Sequence, residues 1–97
     1  MTPPRPKFRF QLFVAGDAGN SAQAVVNLTA FCRQYVPDRH TIEIVDVLRD
    51  PKRALAESIF LTPTLVAITP PPVRRIVGSL SQTQTMLLTL GLAALAK

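Results

Sequence analysis

Prolines divide this 97-residue sequence into short segments and so limit the length of any helix or strand. Proline lacks a backbone N–H and fixes φ, which excludes it from helix interiors and central strands. Pro37, Pro51 and Pro63 separate stretches that can each hold one or two elements, and the run Pro70, Pro71 and Pro72 must interrupt the chain again. The sequence therefore predicts one small domain built from several short elements.

The first half of the chain reads as strand, helix, strand. Residues 8–14 largely alternate between apolar and polar side chains, which indicates a β-strand. Asn20 or Ser21 is expected to cap a helix that Pro37 ends. Residues 41–48 are rich in β-branched side chains and predict a second strand. The apolar stripe of the helix comprises Val25, Leu28, Phe31, Cys32 and Tyr35.

The second half begins with a short helix that starts at Pro51 and is capped by Asp50, since the first helical position tolerates proline. Residues 64–68 predict a third strand, and residues 74–77 predict a short edge strand after the three prolines. The buried side of the short helix is expected to consist of Ala54, Leu55, Ile59 and Phe60.

A final helix is expected to follow a capping box formed by Ser81 and Gln84. Its apolar positions are Met86, Leu87, Leu90, Ala94 and Leu95. The complete order, β-α-β-α-β-β-α, combines a right-handed β-α-β crossover with a hairpin and a terminal helix, which is the plan of a thioredoxin-like α/β domain. We expect this domain to span residues 8–97, after a proline-rich basic tail at residues 1–7.

Pro63 stands directly before the third strand, where thioredoxin-like proteins have a cis-proline. The turn at residues 17–21, where a thioredoxin keeps its reactive thiol, contains no cysteine. Cys32 is the only cysteine, which excludes an internal disulfide and a Cys-x-x-Cys pair and fits the reducing cytoplasm. Its place on an apolar stripe predicts a buried, inert thiol.

No catalytic, cofactor-binding or metal-binding residue is predicted. His40 is the single histidine and is expected in a solvated loop, without metal-ligand spacing around it. Gly16 and Gly19 lack the spacing and the lysine of a phosphate-binding loop. Asp50 and Asp46 are four residues apart, and a role in turn formation and capping explains Asp50 better than general-base chemistry does.

The charge distribution argues against a nucleic-acid partner. The formal net charge is +5, but residues 10–73 hold five basic and six acidic side chains, so the excess lies near the two ends. A basic face with interleaved aromatic residues, which would neutralise phosphates and stack on bases, is not evident. The uncharged stretch 76–96 is interrupted by polar residues between 79 and 85, so we do not expect a membrane span.

Several segments together resemble the KaiB family, the small proteins of the cyanobacterial circadian clock. The similarity runs from about residue 8 to residue 92, and its most specific part is a TPTL segment followed five residues later by PPPVRR and a glycine. The segments are Leu12–Gly16, Asn20–Ser21, Ile44–Leu48, Pro51, Leu61–Leu65, Pro70–Gly78 and Leu80–Ser81. The chain is identified as a member of this family.

The resemblance implies a non-enzymatic regulator without a cofactor. Its partners would be KaiC, a hexameric RecA-like ATPase, and a histidine kinase whose sensor domain is thioredoxin-like. It also implies two folds, a ground state that is a homo-oligomer (a tetramer or dimer) with a different C-terminal topology and a monomeric thioredoxin-like state. The expected partner-binding residues are Ile68, Val73, Arg74 and Arg75, and the expected switch or turn prolines are Pro63, Pro70, Pro71 and Pro72.

Departures from the family leave the partner and the fold state open. Gln23, Ser58 and Ala67 replace basic residues that the family associates with the ATPase surface. Residues 86–97 are rich in helix formers and favour the thioredoxin-like state. In the alternative topology, the strand-one face of Arg9, Gln11 and Phe13 would be a candidate subunit contact. A thioredoxin-like adaptor or sensor that binds a peptide or kinase without any ATPase is the second functional reading, and timekeeping and stress signalling both fit the first.

Overall fold

In the described part of the chain, seven secondary-structure elements follow one another in the predicted order. The computed structural model of the chain describes residues 7–92. The elements are β1 (Phe8–Val14), α1 (Gly19–Tyr35), β2 (His40–Asp46), α2 (Pro51–Ala56), β3 (Thr64–Thr69), β4 (Arg74–Val77) and α3 (Thr83–Thr89). Among these residues, no helix has the length and apolarity to cross a membrane.

The four strands form one mixed sheet in the order β2-β1-β3-β4. Strand β1 runs parallel to β2, from Phe8 opposite His40 to Val14 opposite Asp46. It runs antiparallel to β3, which in turn pairs antiparallel with β4. The sheet and its helices confirm the thioredoxin-like plan, and β4 is the edge strand that the sequence predicts.

The sheet separates two hydrophobic cores. Helices α1 and α3 cover one face, where the buried residues include Phe10, Leu12, Leu28, Leu65, Met86 and Leu87. Helix α2 and the residues after it cover the other face, where Phe13 packs with Val45, Ala54, Ile59 and Val66. Phe13 is fully buried. In this topology Phe13 is therefore part of the core. It cannot form the subunit contact that the alternative fold would allow.

Helix α2 is joined to β2 by a bidentate ion pair. The guanidinium of Arg53 donates from Nη1 to Glu43 Oε2 at 2.6 Å and from Nη2 to Glu43 Oε1 at 3.1 Å. The hydrogen bond from Arg53 lowers the pKa of the Glu43 carboxyl. Because both groups are exposed to solvent, we assign this pair an orienting role and little stability.

The predicted side-chain caps are wrong for all three helices. Helix α1 begins at Gly19 with Ala18 as its N-cap, and the buried Ser21 hydroxyl accepts a hydrogen bond from the N–H of Ala15 at 3.1 Å. Asp50 does occupy the N-cap position of α2, but its side chain makes no capping hydrogen bond. Helix α3 begins at Thr83, after both Ser81 and the N-cap Gln82, so no capping box forms. Serine side chains also bind backbone groups in turns, and at Ser21 the bond from Ala15 takes the place of a cap.

Helix α3 ends at Thr89, earlier than the sequence predicts. The N–H of Leu92 donates to the carbonyl of Leu87 at 2.7 Å, and the N–H of Gly91 donates to the carbonyl of Leu88 at 3.3 Å. These two bonds form a Schellman motif, in which the residue after the C-cap adopts a left-handed conformation. Gly91 has φ +74° and fills that place. The predicted apolar positions Ala94 and Leu95 lie outside the described residues.

We predict that Gly91→Ala lowers the free energy of unfolding by about 1 kcal/mol. A Cβ at position 91 would meet no atom within 4 Å, so the left-handed backbone itself is the source of the loss. Gly19→Ala is the matched control, because Gly19 is helical and has equally open surroundings. Chemical denaturation of both variants tests this, and equal stability of Gly91→Ala and the parent chain would contradict it.

Cys32 is buried in the core, as the sequence predicts. It lies on the sheet-facing side of α1 and exposes none of its surface. Burial raises the pKa of its thiol to about 12, so little of the reactive thiolate forms at neutral pH.

We therefore expect Cys32 to react with a thiol reagent at pH 8 at least about 100-fold more slowly in the folded protein than in denaturant, since labelling requires local or global opening. Absorbance of the released chromophore follows the reaction. Equal rates in native buffer and in denaturant would show that the thiol is accessible.

Candidate functional site

The turn between β1 and α1, where a thioredoxin holds its reactive thiol, is held to the end of β2 by a hydrogen bond to Asp46. The N–H of Gly16 donates to Asp46 Oδ1 at 3.1 Å, and the N–H of Leu48 donates to the same oxygen at 2.9 Å. Asp46 thus joins the carboxyl ends of the two parallel strands. A single carboxylate oxygen of Asp46 accepts both of these backbone hydrogen bonds.

The side chain of His40 is also hydrogen-bonded to the backbone. It is the first residue of β2 and is half-buried, and the prediction of a solvated loop is wrong. Its Nδ1–H donates to the carbonyl oxygen of Val36 at 2.7 Å, which fixes the tautomer because a carbonyl can only accept. Within residues 7–92, no three His, Cys, Asp or Glu side chains are grouped so that they could hold a metal ion.

The segment that follows α2 turns sharply at Ser58. The N–H of Ser58 donates to the carbonyl of Leu55 at 3.1 Å, and the N–H of Ile59 donates to that of Ala54 at 2.8 Å. This is a second Schellman motif, and Ser58, at φ +56°, occupies the left-handed position usually taken by glycine. The motif directs Ile59 into the core beside Ala54.

The turn leaves two large apolar side chains in solvent. Phe60 is 84% exposed and Leu61 is 63% exposed. The prediction that Leu55 and Phe60 are buried is therefore wrong, since Leu55 is also exposed. A helix of only six residues presents one narrow face to the sheet, which Ala54 fills, and Ile59 packs beside it from the segment after the turn.

Edge strand β4 completes an apolar surface beside this turn. Val77, 56% exposed, lies with Phe60, Leu61 and Arg75 around a shallow pocket of about 140 Å³. We call these four residues the docking patch. The turn is fixed to the sheet by Thr64, whose hydroxyl donates to the carbonyl of Leu61 at 2.6 Å. The N–H of Gly78 donates to the carbonyl of Pro63 at 2.9 Å.

The four predicted partner-binding residues occupy different environments. Successive residues of β4 point to opposite faces of the sheet. Arg75, opposite Val66, lies on the α2 face within the docking patch, whereas Arg74, opposite Ala67, lies on the face of α1 and α3. Val73 is 58% exposed just before β4, and Ile68 is half-buried against the second core.

The predicted prolines surround β3. The Thr62–Pro63 bond is cis, directly before the strand, as the thioredoxin-like plan implies. The Thr69–Pro70 and Pro71–Pro72 bonds are also cis and lie in the connection between β3 and β4. Pro70, Pro71 and Pro72 thus make up most of the connection between β3 and β4.

The positions that differ from the family's basic residues are also separated. Gln23 is exposed on α1, where its side-chain amide donates to Asn27 Oδ1 at 3.1 Å. Ser58 is exposed at the edge of the docking patch. Ala67 is buried in the first core, so this position does not contribute to the surface in this topology.

Sequence reasoning selected Arg75 but missed Phe60, Leu61 and Val77 as surface residues. Ile59, Phe60 and Leu61 are three consecutive apolar residues outside a helix, and such a run cannot turn every side chain inward. That signal identifies an exposed apolar site before Pro63 only once the end of α2 is known.

Comparison with known proteins agrees with the resemblance. The KaiB domain model matches residues 11–92. The circadian clock protein KaiB3 of a Synechocystis strain is 41% identical over 80 residues, which cover 82% of this chain and 78% of that protein. The circadian clock oscillator protein KaiB of a Prochlorococcus marinus strain is 39% identical over 89 residues, which cover 92% and 75%.

Solved structures share the fold at low sequence identity. The N-terminal domain of Synechococcus elongatus SasA has a TM-score of 0.74 at 18% identity, covering 100% of this chain and 93% of that one. Chloroplastic thioredoxin z also has a TM-score of 0.74, at 22% identity, and the match covers 93% of this chain and 81% of that one. The sequence matches and the observed topology lead to one conclusion: the chain belongs to the KaiB family.

Proposed function

We propose that this protein is a non-enzymatic regulator of the KaiB type that binds a KaiC-like hexameric ATPase through the docking patch. The grouping of exposed Phe60 with Leu61 and Val77 carries the proposal, because a cluster of exposed apolar side chains, unlike a single one, marks an interaction surface. Family membership supports the class of partner.

The composition of the docking patch suits a protein interface. Aromatic residues and arginine are enriched among the residues that dominate binding energy, and surrounding apolar contacts exclude water from them. Covering a phenylalanine side chain completely contributes about 2 kcal/mol, and Leu61 and Val77 extend the apolar area around it. Arg75 adds one positive charge, which favours an acidic group at the facing edge of the partner.

Three side chains elsewhere in the domain that could take part in catalysis are held in structural positions, which supports a binding role over a catalytic one. Asp46 accepts two backbone hydrogen bonds, His40 binds a carbonyl, and Cys32 lies in the core. A nucleophile needs an adjacent base within hydrogen-bond distance, and none of these three groups is placed with such a partner.

Fold switching is a separate part of the proposal. We infer that the β4 and α3 region exchanges with the other family topology, since β4 is only four residues long and α3 only seven. Short elements of this kind bury little surface each, so two packings can differ by only a few kcal/mol. The role in timekeeping or in stress signalling depends on the partner.

The first test changes the exposed apolar residues. The double variant Phe60→Ser/Leu61→Ser is expected to bind the ATPase at least about tenfold more weakly, because it removes the apolar centre of the contact. Leu88→Ser is the matched control, since Leu88 is equally exposed (67%) but lies on α3, away from the patch. Titration by biolayer interferometry measures both. Equal weakening by the control, or no weakening by the double variant, would contradict the assignment.

The second test asks whether the partner is an ATPase at all. Size exclusion with light scattering is run on the protein alone and after hours with the KaiC-like ATPase of the same organism and ATP. We expect a slowly formed complex, and a larger mass for the free protein if an oligomeric ground state must first dissociate. Absence of a complex with every nucleotide would reject the ATPase and direct the search to histidine kinases.

A further inference from the structure

Arg75 is bound to its own chain at the turn that exposes Phe60. Its Nη1 donates to the carbonyl oxygen of Ser58 at 3.3 Å, and its Nη2 donates to the carbonyl oxygen of Glu57. The two acceptors are consecutive residues at the end of α2, and Arg75 reaches them from edge strand β4. The guanidinium therefore connects two segments that are 17 and 18 residues apart in sequence.

Neither of these carbonyls accepts one of the backbone hydrogen bonds that close the end of α2. In the Schellman motif of α2, the amides of Ser58 and Ile59 satisfy Leu55 and Ala54. The carbonyls of Glu57 and Ser58 lie beyond this pattern, and the planar fork of an arginine can donate to both at once. Lysine has no such fork, because its donors diverge from one nitrogen.

The turn also contains an unfavourable backbone conformation. Ser58 is a non-glycine residue in the left-handed region, a conformation that is less favourable for serine than for glycine. Two hydrogen bonds from Arg75 to this residue and its neighbour favour the conformation and offset that cost. The exposure of Phe60 and Leu61 depends on the same turn.

We propose that Arg75 is a positioning residue, which holds the turn at residues 57–61 in the conformation that presents Phe60 and Leu61 to the partner. Arg75 thus contributes to the docking patch mainly through its hydrogen bonds to the carbonyls of Glu57 and Ser58. Arg74 lies on the opposite face of β4 and has no part in this arrangement. The binding consequence rests on the proposed function, whereas the ordering of the turn does not.

Amide hydrogen exchange on the free protein tests the ordering. The reporters are the amides of Ser58 and Ile59, which bond to Leu55 and Ala54, and the reference is the amide of Leu90, which bonds to Met86 in α3. Arg75→Ala and Arg75→Lys are both expected to accelerate the reporters at least tenfold relative to the reference. Arg74→Ala is the matched control and is expected to leave them unchanged. Unchanged reporters in Arg75→Ala would overturn the proposal.

Rescue distinguishes positioning from a general loss of stability. Ser58→Gly removes the cost of the left-handed conformation, so in the Arg75→Ala background it is expected to restore at least part of the reporter protection. If Ser58→Gly accelerates exchange further, the backbone conformation is not what Arg75 supports, and the proposal fails.

Binding to the KaiC-like ATPase tests the consequence. Arg75→Lys keeps the charge and loses the fork, so it is expected to bind about tenfold more weakly, whereas Arg33→Lys, at an exposed position on α1, is expected to bind like the parent. Parent-like binding by Arg75→Lys would show that binding does not need the guanidinium fork, which overturns the positioning role. If the parent chain does not bind the ATPase, the proposed function fails, and the exchange results still decide the role of Arg75 in the turn.

Discussion

Strand β1 is bonded to a neighbour on each side and packed on both faces, and the remaining elements are placed by it. Its parallel pairing with β2 brings the carboxyl ends of the two strands together, where Asp46 binds the backbone of the following turn. Its antiparallel pairing with β3 sets the position of β4, which has no other strand neighbour. Val77 and Arg75 belong to β4. The position of the docking patch therefore depends on the pairing of β1 with β3, although β1 contributes no residue to the patch.

The helix termini decide which side chains reach solvent. Helices α2 and α3 both end in a Schellman motif, with Ser58 and Gly91 at the left-handed position. At the end of α2 the motif turns Ile59 inward and leaves Phe60 outside. Backbone geometry, more than hydrophobicity, thus selects the exposed residue from a run of apolar side chains.

Much of the fold could be predicted from periodicity and proline placement. The bounds of β1 and β4, the element order and the burial of Cys32 follow from patterns that tertiary contacts do not override. Capping could not be predicted, because the hydroxyl of Ser21 had a competing acceptor role toward Ala15, which is near only in the folded chain. The exposure of Phe60 depended on where α2 ends, and no residue type marked Ser58 as a left-handed position.

The separation of Arg74 and Arg75 onto opposite faces has a consequence for self-association. Edge strands expose unpaired backbone groups that can recruit the same strand of another molecule. Because β4 is four residues long and half of them are arginines, a second copy pairing with it would bring one arginine from each copy to each face of the combined sheet, where like charges closer than the ~8 Å screening length at physiological salt repel each other. The repulsion would act on both sides of the combined sheet at once. An edge with its charge divided between two faces therefore discourages growth of the sheet while leaving the apolar patch beside it open to a different protein.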